Sequence, residues 1–124
     1  MIIIGHPLIP FKPLYRVMKS EDIKKTKPNS TILIDIKNTK LLLFSKAQNI
    51  NFALHVNSLK DACLANAIGA KYIIVDKFIS KKVQHLATEY LFDSKILLQI
   101  NSDHDIEKVA KKLIDGVIYK KSIL

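Results

Sequence analysis

Two stretches of this chain repeat one structural unit. Leu54–Asp76 aligns with Leu98–Lys120 without a gap, at a constant offset of 44 residues. In each copy a short apolar run ends in Asn-Ser, a helical pattern follows, and a second apolar run closes the unit. Strand–helix–strand units of this kind build parallel sheets, because parallel neighbours need a long crossover that a helix supplies. The repeat therefore predicts an α/β fold.

The regular alternation of strands and helices begins at residue 31. Apolar runs predict strands at 31–36, 51–56, 72–76, 95–100 and 117–119, and periodic or capped segments predict helices at 38–47, 58–68, 79–92 and from 102 onward. Continuous apolar strands such as Ile73–Val75 are typical of a parallel sheet that is buried on both faces. We predict a single three-layer α/β domain of repeated βα units with a mainly parallel sheet over residues 1–124. Its strand order is that of either a half-barrel or a flavodoxin-like sheet.

Residues 1–30 are predicted to form an irregular, proline-containing N-terminal arm that precedes the βα-repeat core of residues 31–124. Pro7, Pro10 and Pro13 are spaced by three residues, which excludes a helix and favours an extended or polyproline II course. Short strands are predicted on either side of the prolines.

The arm also carries apolar side chains that predict an interface. A half-barrel or open sheet leaves apolar edge and face surface that a second copy can cover. We expect a homo-oligomer, most simply a dimer, or another protein partner. The predicted interface residues are Leu8, Ile9, Phe11, Leu14 and Tyr15.

The composition of the chain bears on the cellular compartment in which the protein resides. Hydrophobic residues make up 48% of the 124 residues, but no window approaches the roughly 20 apolar residues that span a bilayer. The first residues carry no basic leader, and the single cysteine, Cys63, excludes an internal disulfide. These features predict a cytoplasmic protein with no membrane partner. Cys63 lies in an apolar helical pattern with Leu59, Ala62 and Ala67, so we expect its thiol to be buried.

The net charge of +9 raises the question of a nucleic-acid partner. Nineteen of the twenty basic residues are lysine and only Arg16 is arginine, whereas base edges and phosphates are read preferentially by the bidentate guanidinium. The lysines are also spread along the chain. This pattern argues against sequence-specific nucleic-acid binding and is compatible with a weak, salt-dependent affinity for polyanions.

The second half of the chain resembles a known class of barrels. Ile114–Tyr119 is similar to the strand that carries the phosphate site in phosphate-binding (β/α)8 barrels such as thiamine phosphate synthase and the tryptophan synthase α subunit, and Ala67–Val75 resembles their helix, Gly-Ala, strand joint. The resemblance covers residues 52–124 and implies a phosphate at the ends of the last strands. Those barrels end the strand in a glycine, where this chain has Tyr119-Lys120-Lys121-Ser122. We therefore expect anion binding there no tighter than roughly millimolar.

Parallel α/β sheets bind ligands at the carboxyl ends of their strands. The predicted strand ends carry two acid/base candidates, His55 and Asp76. These residues could also have purely structural roles. Asn57 and Asn101 each precede a serine at a predicted helix start and could cap that helix, and His55 within its strand could face the core. The candidate ligand-binding residues are Asp35, Asn57, Lys77, Asn101 and Lys120.

No metal or cofactor signature is present in the sequence. The four histidines lie far apart, one cysteine offers no thiolate pair, and three glycines do not make a phosphate loop. We therefore expect no metal and no cofactor. The sequence favours a non-catalytic binding or assembly module. The alternative is a small-molecule enzyme or ligand-binding protein that takes a phosphorylated or carboxylated metabolite at the strand ends, and the sequence leaves enzymatic activity open.

Overall fold

A computed structural model describes residues 1–124 as seven strands, five α-helices and a terminal 3-10 turn at Lys120–Ser122. None of the helices is both long and apolar enough to cross a membrane. The strands are β1 (Ile2–Ile4), β2 (Leu14–Arg16), β3 (Thr31–Ile34), β4 (Phe52–His55), β5 (Tyr72–Val75), β6 (Lys95–Ile100) and β7 (Gly116–Tyr119). The helices are α1 (Ser20–Ile23), α2 (Thr39–Ala47), α3 (Leu59–Ile68), α4 (Lys77–Glu89) and α5 (His104–Lys111).

All seven strands are parallel and form one curled sheet in the order β1-β7-β6-β5-β4-β3-β2. Consecutive strands from β2 to β7 are neighbours, so the sheet has the order of a half-barrel and not of a flavodoxin-like sheet. The predicted α/β class and parallel sheet are confirmed. Both copies of the 44-residue repeat form the expected units, β4-α3-β5 and β6-α5-β7.

The two faces of the sheet bury different side chains. The outer face packs with all five helices in one large apolar cluster. The inner face holds a smaller cluster that no helix enters, and each strand contributes one residue to it. This arrangement follows from the period of two along each strand, which sends alternate side chains to opposite faces. The seven inner residues are Ile4, Leu14, Leu33, Ala53, Ile74, Leu97 and Ile118.

Residues 1–30 are part of the sheet and do not merely precede it. They supply both edge strands, β1 beside β7 and β2 beside β3, and residues 5–13 return the chain from the carboxyl end of β1 to the amino end of β2. The C-terminal residues help to join the two edges. Ile123 bridges to Leu14, and the Leu124 N–H donates to the Leu14 carbonyl oxygen at 2.8 Å. Ser122 is buried beside Gly5, where an added Cβ would lie 2.5 Å from its Oγ.

The prediction that Cys63 is buried is wrong. Cys63 is exposed, and α3 packs on the sheet through Ala62 and Ala65 instead. The predicted stripe was out of phase with this face, because adjacent helical positions differ by about 100° around the axis. The start of α3 follows the prediction, since Ser58 Oγ accepts the Asp61 N–H at 3.1 Å.

The amino ends of the strands are fixed by a side-chain network. Gln84 of α4 and Asp115 before β7 bond reciprocally: the Asp115 N–H donates to Gln84 Oε1 at 2.9 Å, and Gln84 Nε2 donates to Asp115 Oδ1 at 3.2 Å. Asp115 Oδ2 also accepts the Ile96 N–H at 2.9 Å. The network ties α4 to β6 and β7. In folds of this type, polar groups at the amino ends of strands contribute to stability and not to chemistry.

Candidate functional site

The predicted site residues do lie at one edge of the sheet, the carboxyl edge, because all strands run the same way. The structure brings some of them together and leaves others apart. Asp35 is used locally, since its Oδ1 accepts the Lys37 N–H at 2.9 Å. Asn57 and Lys77 are exposed and make no hydrogen bond through their side chains. These three residues remain candidates by position only.

His55 and Asp76 are brought together at the ends of β4 and β5. His55 Nε2 lies 3.5 Å from Asp76 Oδ1. His55 pairs with Ile74 across the ladder, so Asp76 is its diagonal neighbour. Both side chains belong to the inner face, since Val56 and Val75 beside them pack in the outer cluster. The pair is open to solvent, with 39% of the His55 side chain and 53% of the Asp76 side chain exposed.

Asn101 and Lys120 share a small cavity at the ends of β6 and β7. Its volume is about 300 Å³, and its other lining residues are Tyr119 and Lys121. This is the position of the phosphate that the barrel resemblance implies. The two lysines supply positive charge there, and Lys121 Nζ lies 5.3 Å from the centre of the Tyr119 ring.

The chain's own carboxylates occupy the backbone donors beside this cavity. Asp105 Oδ2 accepts the Asn101 and Ser102 N–H groups in long bonds of 3.5 and 3.4 Å. Asp103 comes directly before α5 and faces Tyr119, whose hydroxyl donates to Asp103 Oδ1. These carboxylates and the Tyr119 side chain stand where a phosphate would need bare N–H groups, in agreement with the missing glycine.

A second His–Asp pair, which the sequence did not predict, completes this corner. His6 Nε2 lies 3.2 Å from Asp103 Oδ2, so Asp103 joins the ends of β1 and β7. The hydrogen bond from Tyr119 is the largest effect on the pKa of Asp103 and lowers it. His6 and the charge of Lys121 lower it further, against an opposing effect of desolvation. The same bond raises the pKa of Tyr119 to about 12, since a phenolate would face the carboxylate.

The His6 ring has no free nitrogen. The Leu8 N–H donates to His6 Nδ1 at 3.1 Å, so Nδ1 carries no proton and the proton of the neutral ring is on Nε2, which donates to Asp103. His6 therefore acts as a fixed link between strands. Sequence analysis missed it because residues 1–30 were placed outside the sheet. A strand of three isoleucines followed by Gly5 and His6 was the available signal.

The largest cavity lies at the opposite, amino end of the sheet. It has a volume of about 910 Å³, and eight of its fourteen lining residues are apolar. The walls come from β1, the amino ends of β2, β3 and β5, and residues 9–12 of the arm. Three predicted interface residues, Leu8, Ile9 and Phe11, are exposed in the arm, and Leu8 is 82% exposed.

The prediction of Leu14 as an interface residue needs correction. Leu14 is only 1% exposed and belongs to the inner cluster, because β2 is part of the sheet and directs this side chain inward. It is thus not available to a partner. Tyr15, next in β2, is half-buried.

Comparison of the chain with protein-family models and with curated proteins found no match. The resemblance to phosphate-binding barrels therefore stays a prediction. The fold and the geometry of the two ends of the sheet are the grounds for assigning a function.

Proposed function

We propose that this protein is a non-catalytic binding and assembly module whose partner is a second copy of the chain. The observation that carries the proposal is the apolar cavity of about 910 Å³ at the amino end of the sheet, flanked by exposed apolar side chains of the arm. A cavity of this size and character on an isolated chain marks a place where another surface binds.

The face is self-complementary. Ile9 and Phe11 of the arm are exposed and line the cavity, so one patch holds both projecting apolar groups and a concave apolar surface. A two-fold dimer needs both features on one patch, since the patch of one copy meets the same patch of the other. Strand β1 is also a sheet edge that pairs only with β7. An edge with unpaired backbone groups is stabilised when another chain covers it.

Net charge gives the dimer a recognisable salt dependence. Each chain carries +9, so two copies repel each other at low ionic strength. Added salt screens this repulsion and strengthens apolar association. A complex with an acidic partner would respond in the opposite sense, because salt would weaken it. The sign of the salt effect therefore identifies the kind of partner.

The test is the mass of the particle in solution, measured by light scattering at low and high salt. We expect twice the chain mass of 14.1 kDa, with the dimer favoured by salt. Ile9→Glu and Phe11→Glu should both give the monomer, while Leu59→Glu, a similarly exposed leucine at the start of α3 and thus at the opposite end of the sheet, should leave the dimer intact. A monomer at all salt concentrations, or equal effects of the three substitutions, would refute the proposal.

A small anionic ligand at the carboxyl edge is the second candidate, because the cavity of about 300 Å³ carries Lys120 and Lys121. The internal carboxylates support weak binding only, because Asp105 already accepts the Ser102 N–H and Asp103 already accepts the Tyr119 hydroxyl. Titration with inorganic phosphate, followed by the amide shifts of residues 101–104 and 119–122, tests this candidate. Micromolar saturation that Lys120→Ala abolishes would make it the leading function. The cytoplasmic location stays a prediction.

A further inference from the structure

An apolar groove lies between α2 and α3 on the outer side of the sheet, apart from the cavity that we assign to the dimer. We infer that this groove binds an acidic amphipathic helix of another protein. The inference goes beyond assembly of the chain with a second copy and does not depend on it.

The groove exists because α2 and α3 do not pack closely on each other. Helix α3 contacts α4 directly, whereas α2 and α3 make little contact. The space between them has a volume of about 370 Å³, and seven of its eight lining residues are apolar. Leu42 and Leu54 are almost fully buried and lie at its base. Leu43 of α2 and Leu64 of α3 form its rims and are 58% and 55% exposed.

The sequences of α2 and α3 differ from those of α4 and α5. In α4 and α5 the apolar residues lie mainly on the face that packs on the sheet, and charged residues cover the outer face. Helix α2 contains four consecutive apolar residues, Leu41–Phe44, and the apolar residues of α3 are distributed all around its axis. A helix that is apolar on all sides is normally buried on all sides. The outer sides of α2 and α3 therefore lack the cover that their sequences indicate, and an exposed apolar surface of this kind marks an interaction site.

Lysine side chains flank both rims of the groove. Lys40 lies three residues before Leu43, and Lys60 lies four residues before Leu64. At these spacings each lysine is one helical turn from the exposed leucine and on the same face. Residues 36–60 carry four lysines and no acid, so the charge beside the groove is positive. Aspartate or glutamate side chains on a partner would complement it.

Shape and charge decide which occupant fits the groove. A second copy would place residues 36–60 against the same residues in a two-fold contact, so that lysines would face lysines. A small-molecule site encloses most of its ligand, whereas both rims of this groove are open to solvent. A helix that follows the groove places apolar side chains at i and i+4 on its base and directs its flanks toward the lysines.

The length of the groove limits the contact. Helix α2 has nine residues and is about 13 Å long, which corresponds to about two turns of a partner helix. One end of the groove is closed by Lys46, whose Nζ donates to the Ile68 carbonyl oxygen at 2.8 Å. The partner helix therefore contacts the chain through a short segment.

The test uses the unmodified chain and two synthetic peptides. The first is an amphipathic helix of about three turns with leucines at i and i+4 and glutamates on both flanks, and in the second lysines replace the glutamates. Binding is followed through the side-chain methyl signals of the chain. We expect the glutamate peptide to shift the signals of Leu43, Leu64 and Ile68, to bind at least tenfold more tightly than the lysine peptide, and to weaken as salt is added. No binding, equal binding of both peptides, or shifts confined to the cavity at the amino end of the sheet would overturn the inference.

Substitutions of exposed leucines locate the contact. Leu43→Glu and Leu64→Glu should each reduce the affinity for the glutamate peptide at least tenfold. Leu113→Glu, an exposed leucine that follows α5, is the matched control and should leave the affinity unchanged. The mass of the particle should stay the same in Leu64→Glu, whereas a change from dimer to monomer would show that a second copy occupies the groove and would refute the inference. This test and the test of the dimer therefore fail independently.

Reversal of charge tests the chemistry of the partner. A chain that carries both Lys40→Glu and Lys60→Glu should bind the lysine peptide more tightly than the glutamate peptide. The matched control changes two exposed lysines of α5, Lys108→Glu and Lys111→Glu, and alters the net charge by the same amount. The control should keep the preference for the glutamate peptide. The same result for both double variants would show that net charge and not the groove attracts the peptide.

Discussion

Ser45 tests whether a buried polar group without a hydrogen-bond partner destabilises the core of this protein. Ser45 lies in α2, is 0% exposed, and its Oγ has no hydrogen-bond partner. A buried hydroxyl that loses its hydrogen bond to water on folding and gains none within the protein lowers the free energy of unfolding by about 1–3 kcal/mol. Ser45→Ala removes this group and also places a better helix former in a helix, which adds about 0.5 kcal/mol to the free energy of unfolding. We expect the free energy of unfolding to rise by about 1 kcal/mol, after allowance for the small void left behind.

Ser80 is the matched control. It lies in α4 and is also 0% exposed, but its Oγ donates to the Lys77 carbonyl oxygen at 3.0 Å. Ser80→Ala gains the same helix propensity and loses a satisfied hydrogen bond, whose net contribution is about 0.5–1.5 kcal/mol. The two effects oppose each other, so this variant should be neutral or slightly destabilised. The two alanine variants should therefore differ by about 1–2 kcal/mol in the free energy of unfolding.

Urea unfolding at equilibrium measures both variants. The slope of free energy against urea should be unchanged, and the midpoint should move up for Ser45→Ala only. For a chain of this size a gain of about 1 kcal/mol corresponds to roughly 3–5 °C in the melting temperature. A loss of stability in Ser45→Ala would show that its hydroxyl has a partner in solution, such as a buried water. Equal shifts in both variants would show that helix propensity alone decides.

Three further substitutions test other parts of the fold. Gly116→Ala should destabilise by about 1–3 kcal/mol or more in urea, because its Cβ would lie 2.4 Å from a backbone carbonyl oxygen of β1. Gln84→Met should cost about 1–3 kcal/mol by thermal unfolding, since it removes both bonds to Asp115, and no change would refute a role for that network. The pKa of Tyr119 is raised to about 12 in the folded protein. The stability that this shift contributes is therefore fully present below the ordinary pKa of tyrosine and is lost as pH rises through 12. The lowered pKa of Asp103 has the opposite sense, with stability lost as pH falls through the folded value, below the ordinary aspartate range. Tyr119→Phe should remove the late phenolate absorbance step and flatten the alkaline dependence, and an unchanged titration would contradict the bond to Asp103.

The core of the fold was predictable because its signals are periodic and local. Each predicted strand from residue 31 onward overlaps an observed one, since runs such as Ile73–Val75 pack in a sheet covered on both faces. The strand order was not predictable, because half-barrels and flavodoxin-like sheets use the same βα units. The phase of α3 was also missed. Its face against the sheet is made of two alanines, and alanine carries too little apolar area to mark a stripe.

The site was only partly predictable, for a different reason. Strand ends could be located, so His55 and Asp76 were both chosen, yet their contact depends on a diagonal register that no single strand reveals. The His6–Asp103 link was out of reach, since it joins residues 97 positions apart across two strands, one of which was assigned to the arm. Contacts between distant segments depend on strand order, and strand order was the unsettled part of the prediction.

The position of β1 explains why the two corners of the carboxyl edge differ. Since β1 pairs with β7, it carries His6 to Asp103 and Tyr119, and their hydrogen bonds complete the corner where the sequence resemblance predicts a phosphate. No segment of the chain reaches the ends of β4 and β5 in the same way, so His55 there keeps an unpartnered nitrogen. If β1 were displaced, His6 would leave and Asp103 would lose one of the groups that lower its pKa. A variant that removes β1 pairing should therefore free one oxygen of Asp103, while Tyr119 and Asp105 still occupy the corner, and should leave the ends of β4 and β5 unchanged.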